Sequence, residues 1–439
     1  MDTDLLLGLD IGTTHSKALL VDATGAEVAL AAKRTPFVAA GDRIEMPVAA
    51  LLGAVTALVA GLGTDLGRVA AVGIAGMAEC GAPLDPSGSA LAPVIAWHDA
   101  RGAEVAALLE ASFGDHLARR TGQRPRAVSS IAKLGWLLAN GCPTPARWLG
   151  VPELVLRDLT GSEATEHSFV SRTGFWDVVE QVWLEEVAQA AGFSASVVAP
   201  IRAAGTSMGT VRHEAARRWG LRSGIPVTLG GHDHLAGSIG VGAARGDVVN
   251  SVGTAETVVT MVAAAPDLGR ALERRAAVSV APGGRGWAIL TGAARAGVVL
   301  DAAQRLLGLP AAELDHLAEN TPPIDATALA LDLQAGVPVH LPDAPAGAIW
   351  GGLLVALARR TADAVERLAD LAPAETLLVI GGGSSSRPWI RAKAELVGLP
   401  IVRPRTAQAA ARGAAVFAGQ AAGWWPSPEA APKPQREPV

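Results

Sequence analysis

The sequence predicts an α/β protein with two related domains. Three observations carry this. Short β-branched runs alternate with longer Ala- and Leu-rich segments of helical period. Half of the 439 residues are apolar and 18% are charged, a composition that supports sizeable cores and is the reverse of a disordered chain. A strand, a Gly-Thr turn and a second strand occur near the start and again about 240 residues later, so two domains with a related beginning are expected, in line with ~150 residues per domain.

In chain order, Leu5–Asp10 and Ala18–Asp22 read as strands on either side of a turn containing Gly12, Thr13 and Thr14. Val48–Gly61 reads as a helix. It lies in Pro47–Thr64, a stretch without charge over 18 positions, which is near membrane-span length. The run contains Pro47, Gly53, Gly61 and Gly63, and its core is alanine and valine, so a buried helix is expected and no membrane contact. A strand at Val69–Ile74 and helices at Ala100–Ser112 and Leu184–Ala191 follow. The strand Val227–Leu229 runs into a glycine-crowded stretch at 230–247, where the domain boundary is placed. Val248–Val252 and Thr257–Val262 flank the second Gly-Thr turn, Gly253-Thr254. Helices at Arg295–Leu307 and Leu353–Leu371 and a strand at Leu377–Ile380 complete the pattern. The expected domains are residues 1–235 and 236–425. Residues 426–439 hold five prolines and read as a disordered tail.

The charge balance, 37 Lys and Arg against 42 Asp and Glu for a net −5, argues against a nucleic-acid binder, which carries a basic excess. Cys80 and Cys142 cannot form a disulfide framework or a four-thiolate zinc site. The opening Met-Asp-Thr-Asp lacks the basic start of a secretory signal, and a cytoplasmic location is expected.

Glycine lets backbone approach an anion closely, and successive N–H groups at a turn form an anion-binding concavity. Two facing Gly-Thr hairpins would grip nucleotide phosphates between the domains. Asp10, at the end of the first strand, is suited to Mg²⁺, which takes few protein ligands. No lysine follows a glycine and no G-x-G-x-x-G occurs, which excludes a Walker A loop and disfavours a Rossmann site. The G-x-S-x-G at 205–209 lacks the flanking strand and helix of a nucleophile elbow and reads as a turn. The densest polar cluster, Gly230-Gly231-His232-Asp233-His234, leaves three readings open. His232 and His234 would share one strand face as metal ligands, with Asp233 pointing away. Asp233 would cap a following helix. Or Asp233 is a catalytic carboxylate at a strand end, where open α/β sheets place their ligands.

These segments resemble the FGGY carbohydrate kinases of the actin/hexokinase/Hsp70 superfamily. The resemblance rests on D-I-G-T-T-H-S-K at 10–17, G-G-H-D-H-L-A-G at 230–237, S-V-G-T-A-E-T at 251–257 and I-G-G-G-S-S-S at 380–386. Lesser landmarks occur in order: I-A-W-H-D-A-R at 95–101, K-L-G-W at 133–136, L-T-G-S-E-A-T-E-H-S at 159–168, S-R-T-G-F-W-D at 171–177 and G-A-I-W-G-G at 347–352.

The resemblance implies two domains of ribonuclease H-like (actin-like ATPase) topology around a central cleft, with ATP mostly on the C-terminal side and sugar on the N-terminal side. By position in the family pattern, Asp10 would help hold Mg²⁺, directly or through water, and Thr13, Thr14, Gly253 and Thr254 would contact phosphate, with Lys17 nearby. Gly382, Gly383 and Ser384 would lie along the adenosine, and Asp233 would be the general base. Glu79, Trp97 and Asp99 would meet the sugar. A solvated carboxylate is the alternative for Glu79, and a core tryptophan for Trp97. Ala78 stands where glycerol kinases carry an arginine, the Met-His of xylulose kinases is absent, and Gln408 replaces a common acidic residue. The implied activity is ATP-dependent phosphorylation of a hydroxyl of a small sugar, ketose or polyol. A kinase of a sugar acid or other acceptor, or a non-catalytic sugar- or nucleotide-binding regulator, are the alternatives. The expected partner is a small carbohydrate, and the resemblance also allows a homodimer.

Overall fold

A computed structural model describes residues 4–332, 337–340 and 342–439. The first three residues of the acidic opening lie outside the described residues. The architecture is α/β, as the alternating pattern predicts, and two sheets organise it. The first takes β1 (Leu5–Ile11), β2 (His15–Asp22), β3 (Glu27–Arg34), β4 (Val69–Gly76) and β5 (Val227–His232) in the order β5-β4-β1-β2-β3. β1 pairs antiparallel with β2 and parallel with β4. All seven residues of β1 are buried, because both faces of this central strand are covered, and its sequence is accordingly a near-continuous apolar run. Helix α1 (Val48–Ala60) lies on one face through Leu51, Val55, Leu58 and Val59. It is the uncharged segment weighed above, and no helix among the described residues is long and apolar enough to cross a membrane.

β5 runs directly into α2 (Asp233–Gly240). The second sheet then begins with the hairpin β6 (Asp247–Val252) and β7 (Glu256–Val262) and adds β8 (Ala277–Val280) and β9 (Trp287–Ala294). Helix α3 (Ala346–Ala369) leads to β10 (Thr376–Ile380), α4 (Arg387–Val397), β11 (Ile401–Pro404), α5 (Ala409–Ala421) and β12 (Arg436–Pro438). The order is β8-β9-β7-β6-β10-β11-β12. As in the first sheet, a strand of the Gly-Thr hairpin, β6, pairs antiparallel with its partner and parallel with a later strand. A third apolar cluster, around Leu109, Leu134, Phe175 and Phe193, builds the helical insertion between β4 and β5.

The last helix of each half packs on the other half's sheet. Leu235 of α2 is buried with Val259, Ala288 and Leu290, and Val241, just beyond it, with Val249, Leu378 and Ile380. Reciprocally, α5 buries Ala411, Ala415 and Ala418 against Leu6, Leu19, Val21 and Ala71. Small residues make this possible. A Cβ on Gly73 would overlap the Ala414 carbonyl, and one on Gly413, where α5 crosses α2, would overlap the Ala236 carbonyl.

Several expectations need correction. The helix expected at Leu353–Leu371 begins at Ala346, straight after Pro345, since proline readily precedes a first turn. The helix expected at Ala100–Ser112 continues to Thr121 across a break at Gly114, φ 46°. The last 14 residues are not a disordered tail. Ala431 joins the apolar cluster between α5 and the first sheet. β12 pairs antiparallel with β11 at the sheet edge, where proline is tolerated, and Arg436 binds Asp247 at 2.7 Å. A few anchoring side chains outweigh the proline content. At 205–209 there is no strand–turn–helix elbow: a turn closed by the Thr206 N–H on the Ala203 carbonyl at 3.2 Å leads into residues without regular structure.

Candidate active site

A cleft of about 1750 Å³ lies between the two sheets, lined from both halves. The two Gly-Thr turns meet in it: Thr14 Oγ1 lies 3.0 Å from Thr254 Oγ1. Trp97 braces the first turn by donating its indole N–H to Thr13 Oγ1 at 2.8 Å. The side chain is thus on the cleft wall and partly buried. Asp10 and Lys17 are cross-strand neighbours in the β1–β2 register. Lys17 Nζ donates to Asp10 Oδ2 at 3.2 Å, while Asp10 Oδ1 is buried without a hydrogen-bond partner among the described residues. Burial pushes the Asp10 pKa up; Lys17 opposes this and the nearby Asp233 adds to it. An orphaned carboxylate oxygen beside a phosphate-sized turn fits a divalent cation.

Asp233 sits at the junction of β5 and α2. The strand ends at His232 and the helix starts at Asp233, so the chain turns between the two histidines. The expectation that Asp233 points away from them fails for that reason. Its Oδ1 lies 3.2 Å from His232 Nε2 and 3.9 Å from His234 Nε2, and the ligand atoms of all three residues lie within 4.8 Å of one another. The capping reading fails as stated, because His232 holds the N-cap position and Asp233 is the first helical residue; Asp233 accepts the neighbouring His234 backbone N–H at 2.7 Å while lining the cleft. Burial alone would raise its pKa, but His234, His232 and that N–H carry it below the ordinary value. Burial holds His232 near 4, so this imidazole is neutral at pH 7. The junction is pinned from behind. His232 N–H donates to Ser168 Oγ at 2.9 Å, and the Ser168 hydroxyl donates to the fully buried Glu166 at 2.5 Å.

Glu79 is on the cleft wall in a left-handed backbone conformation, φ 66°, which is uncommon outside glycine. It is not a solvated carboxylate. Oε1 accepts from Arg172 Nε at 2.8 Å and Nη2 at 2.6 Å, with 9% of the side chain exposed. Burial pushes its pKa up, but Arg172 and His232 win and it lies below the ordinary range. Sequence reasoning missed Arg172, although it stands inside the quoted S-R-T-G-F-W-D; only the fold brings it across to Glu79. Arg126 and Ala78 line the same wall.

Asp99 is a correction: it is not on the cleft wall. It is 3% exposed. Its oxygens accept the Ile44 N–H at 2.8 Å and Arg101 Nη2 at 2.7 Å. Burial would raise its pKa, but these bonds bring it down to about 2. Its role is to fold the segment behind Trp97. Of the late glycine run, Gly382 and Ser384 border the cleft, whereas Gly383 packs beneath it against Val252 and Trp389.

Residues 5–240 match the N-terminal domain of the FGGY family of carbohydrate kinases, and residues 274–422 match its C-terminal domain. The chain is 26% identical to an L-fuculokinase of Salmonella typhi over 98% of its length and 95% of the relative's. It is 28% identical to a xylulose kinase of Streptomyces rubiginosus, covering 95% and 88%. The crystal structure of a xylulose kinase from Rhodospirillum rubrum superposes with a TM-score of 0.80 at 27% identity, covering 96% of this chain and 92% of that one. With its paired sheets of actin-like ATPase topology and both family domains in order, the chain belongs to the FGGY family of carbohydrate kinases, phosphotransferases acting on sugar hydroxyls.

Proposed function

We propose that the protein transfers the γ-phosphoryl group of ATP to a hydroxyl of a small polyhydroxylated acceptor, with Asp233 as general base. The observation carrying this reading is a carboxylate held below its ordinary pKa beside the His232 and His234 rings, facing the cleft in which the Gly-Thr turns meet. Phosphoryl transfer is mostly positioning and charge neutralisation. The backbone of Gly253 and the hydroxyls of Thr13, Thr14 and Thr254 would face phosphate oxygens, with Lys17 supplying a positive charge. Asp10, whose Oδ1 lacks a partner, would hold Mg²⁺, which when bound screens the phosphate charge. Gly382 and Ser384 would border the nucleoside. On the acceptor side, Glu79 would orient hydroxyls and Trp97 would offer an apolar face. Asp233 takes the acceptor's hydroxyl proton as that oxygen bonds to the γ-phosphorus and the bond to the ADP oxygen breaks. Closure of the cleft keeps water from competing as acceptor.

The test is an ADP-release screen with MgATP over C3 to C7 polyols, ketoses and sugar acids. Acceptor-dependent ADP release is expected from the natural chain. ATP and acceptor binding with no turnover on any acceptor would instead indicate a binding protein on this scaffold.

A further inference from the structure

The first Gly-Thr turn is held from two sides. On one side Thr35 donates its hydroxyl to the Gly12 carbonyl at 2.6 Å and its N–H to the Thr14 carbonyl at 2.9 Å. Those bonds fix the backbone and leave the Thr13 side chain alone. On the other side the contact is to that side chain: the Trp97 indole N–H donates to Thr13 Oγ1 at 2.8 Å. The loop carrying Trp97 is itself tied down. The Ala96 N–H bonds the Ile44 carbonyl at 2.9 Å, and the buried Asp99 accepts the Ile44 N–H at 2.8 Å. Lys133, fully buried, donates to the carbonyls of Asp99 at 2.5 Å and Arg101 at 2.9 Å. A buried polar network with its partners in place favours one conformation, so the indole reaches the turn from a stiff support.

The direction of the Trp97–Thr13 bond has a chemical consequence. An indole N–H only donates, whereas a threonine hydroxyl donates one proton and accepts on two lone pairs. Thr13 is therefore the acceptor, and its own proton points away from the indole. Among the described residues no group takes that proton. Thr14 is engaged with Thr254, and Asp10 Oδ1 has no hydrogen-bond partner. Thr13 and Trp97 both line the cleft. A hydroxyl that rotates freely presents to an anion either a lone pair, which repels it, or a proton, which binds it. We infer that Trp97 is a positioning residue for phosphoryl transfer, whose indole N–H holds Thr13 as a hydrogen-bond donor to a phosphate oxygen of the nucleotide. This role is separate from the apolar face that Trp97 would offer the acceptor, and it rests on the kinase reading above.

The experiment is calorimetric binding of a non-hydrolysable ATP analogue with Mg²⁺, in the absence of acceptor, to the natural chain, Trp97→Phe, Thr13→Val and the double variant. Without acceptor, loss of the apolar face does not enter. Thr13→Val should bind the analogue about 3- to 10-fold more weakly, the range for one hydrogen bond, and Trp97→Phe at least about 3-fold more weakly. The double variant should be no weaker than Thr13→Val alone, because both changes act on the same donor. Thr13→Ser, which keeps the hydroxyl, should bind as the natural chain does. Adenosine, which has no phosphate, should bind every variant alike, whereas a general disturbance of the fold would weaken it too. Unchanged analogue binding in Trp97→Phe, or losses that add in the double variant, would overturn the assignment and leave the kinase reading standing. An analogue that does not bind the natural chain would overturn both. If Trp97→Phe does not fold, the natural chain with isotope-labelled tryptophan takes its place: one indole N–H resonance should move in Thr13→Val and, in the natural chain, on analogue binding. Indole resonances indifferent to Thr13→Val would overturn the assignment.

Discussion

Asp233 is the residue on which the proposed chemistry turns. Asp233→Asn keeps the shape and removes proton acceptance, so turnover should fall about 10²- to 10⁴-fold. ATP affinity and melting temperature should stay close to natural values, because asparagine keeps the shape and the side-chain oxygen that accepts the His234 N–H. Steady-state kinetics beside calorimetry with an ATP analogue check this; near-natural turnover would sink the assigned role. Glu153 offers a second test. It is buried, and its partners are the Thr165 hydroxyl and the Gly150 N–H at 2.5 Å, with no cation bonded to it among the described residues. Burial pushes it from 4.5 to about 7. The native state thus holds a proton that the unfolded chain has released between about pH 4.5 and 7, so this group's contribution to stability falls as pH rises through that window and is constant above it. The span is worth roughly 3 kcal/mol. Urea unfolding across pH 5 to 7 should show Glu153→Gln with a stability slope smaller by about one proton; an unchanged slope would refute the raised pKa. At this scale the sequence was half legible. Asp10 and Asp233 announce themselves by standing at strand ends beside glycine. Arg172 does not, because its partner is 93 residues away. Asp99 misled because adjacency to Trp97 says nothing about which way a loop side chain turns.

At the scale of elements, the hairpins and strands were readable because apolar runs and Gly-Thr turns are local signals. Helix limits were less so, since Gly114 breaks a helix without ending it. The terminal segment was misread because composition does not reveal that Ala431 finds an apolar surface to cover. The crossing of α2 and α5 is the element most sensitive to a single methyl group. Gly413→Ala drives a Cβ into the Ala236 carbonyl and should cost about 3 kcal/mol. Gly53→Ala, on an open stretch of α1, should instead gain about 1 kcal/mol from helix propensity. Urea midpoints of the two variants give the comparison; equal midpoints would mean that the crossing relaxes freely.

For the whole molecule, the two halves carry separate main cores and share a cleft that one pair of crossing helices spans. Rotation about that crossing is the motion expected on binding. Solution scattering should show a smaller radius of gyration with an ATP analogue and acceptor both saturating. An unchanged radius would mean that the arrangement with Thr14 and Thr254 in contact is already the resting state. The pairing of the halves was legible as a repeat of two short motifs, but the exchange of their last helices was not, since nothing in α2 or α5 says which sheet will receive it. That exchange bears on ancestry. A forebear of one half, ending in its own version of α2 or α5, would have had a bare sheet face and a helix with nowhere to lie. Two copies trading those helices would cover both faces at once, and the seam between them would be the present cleft. The present chain, severed between Val241 and Asp247, should accordingly yield fragments that fold only together.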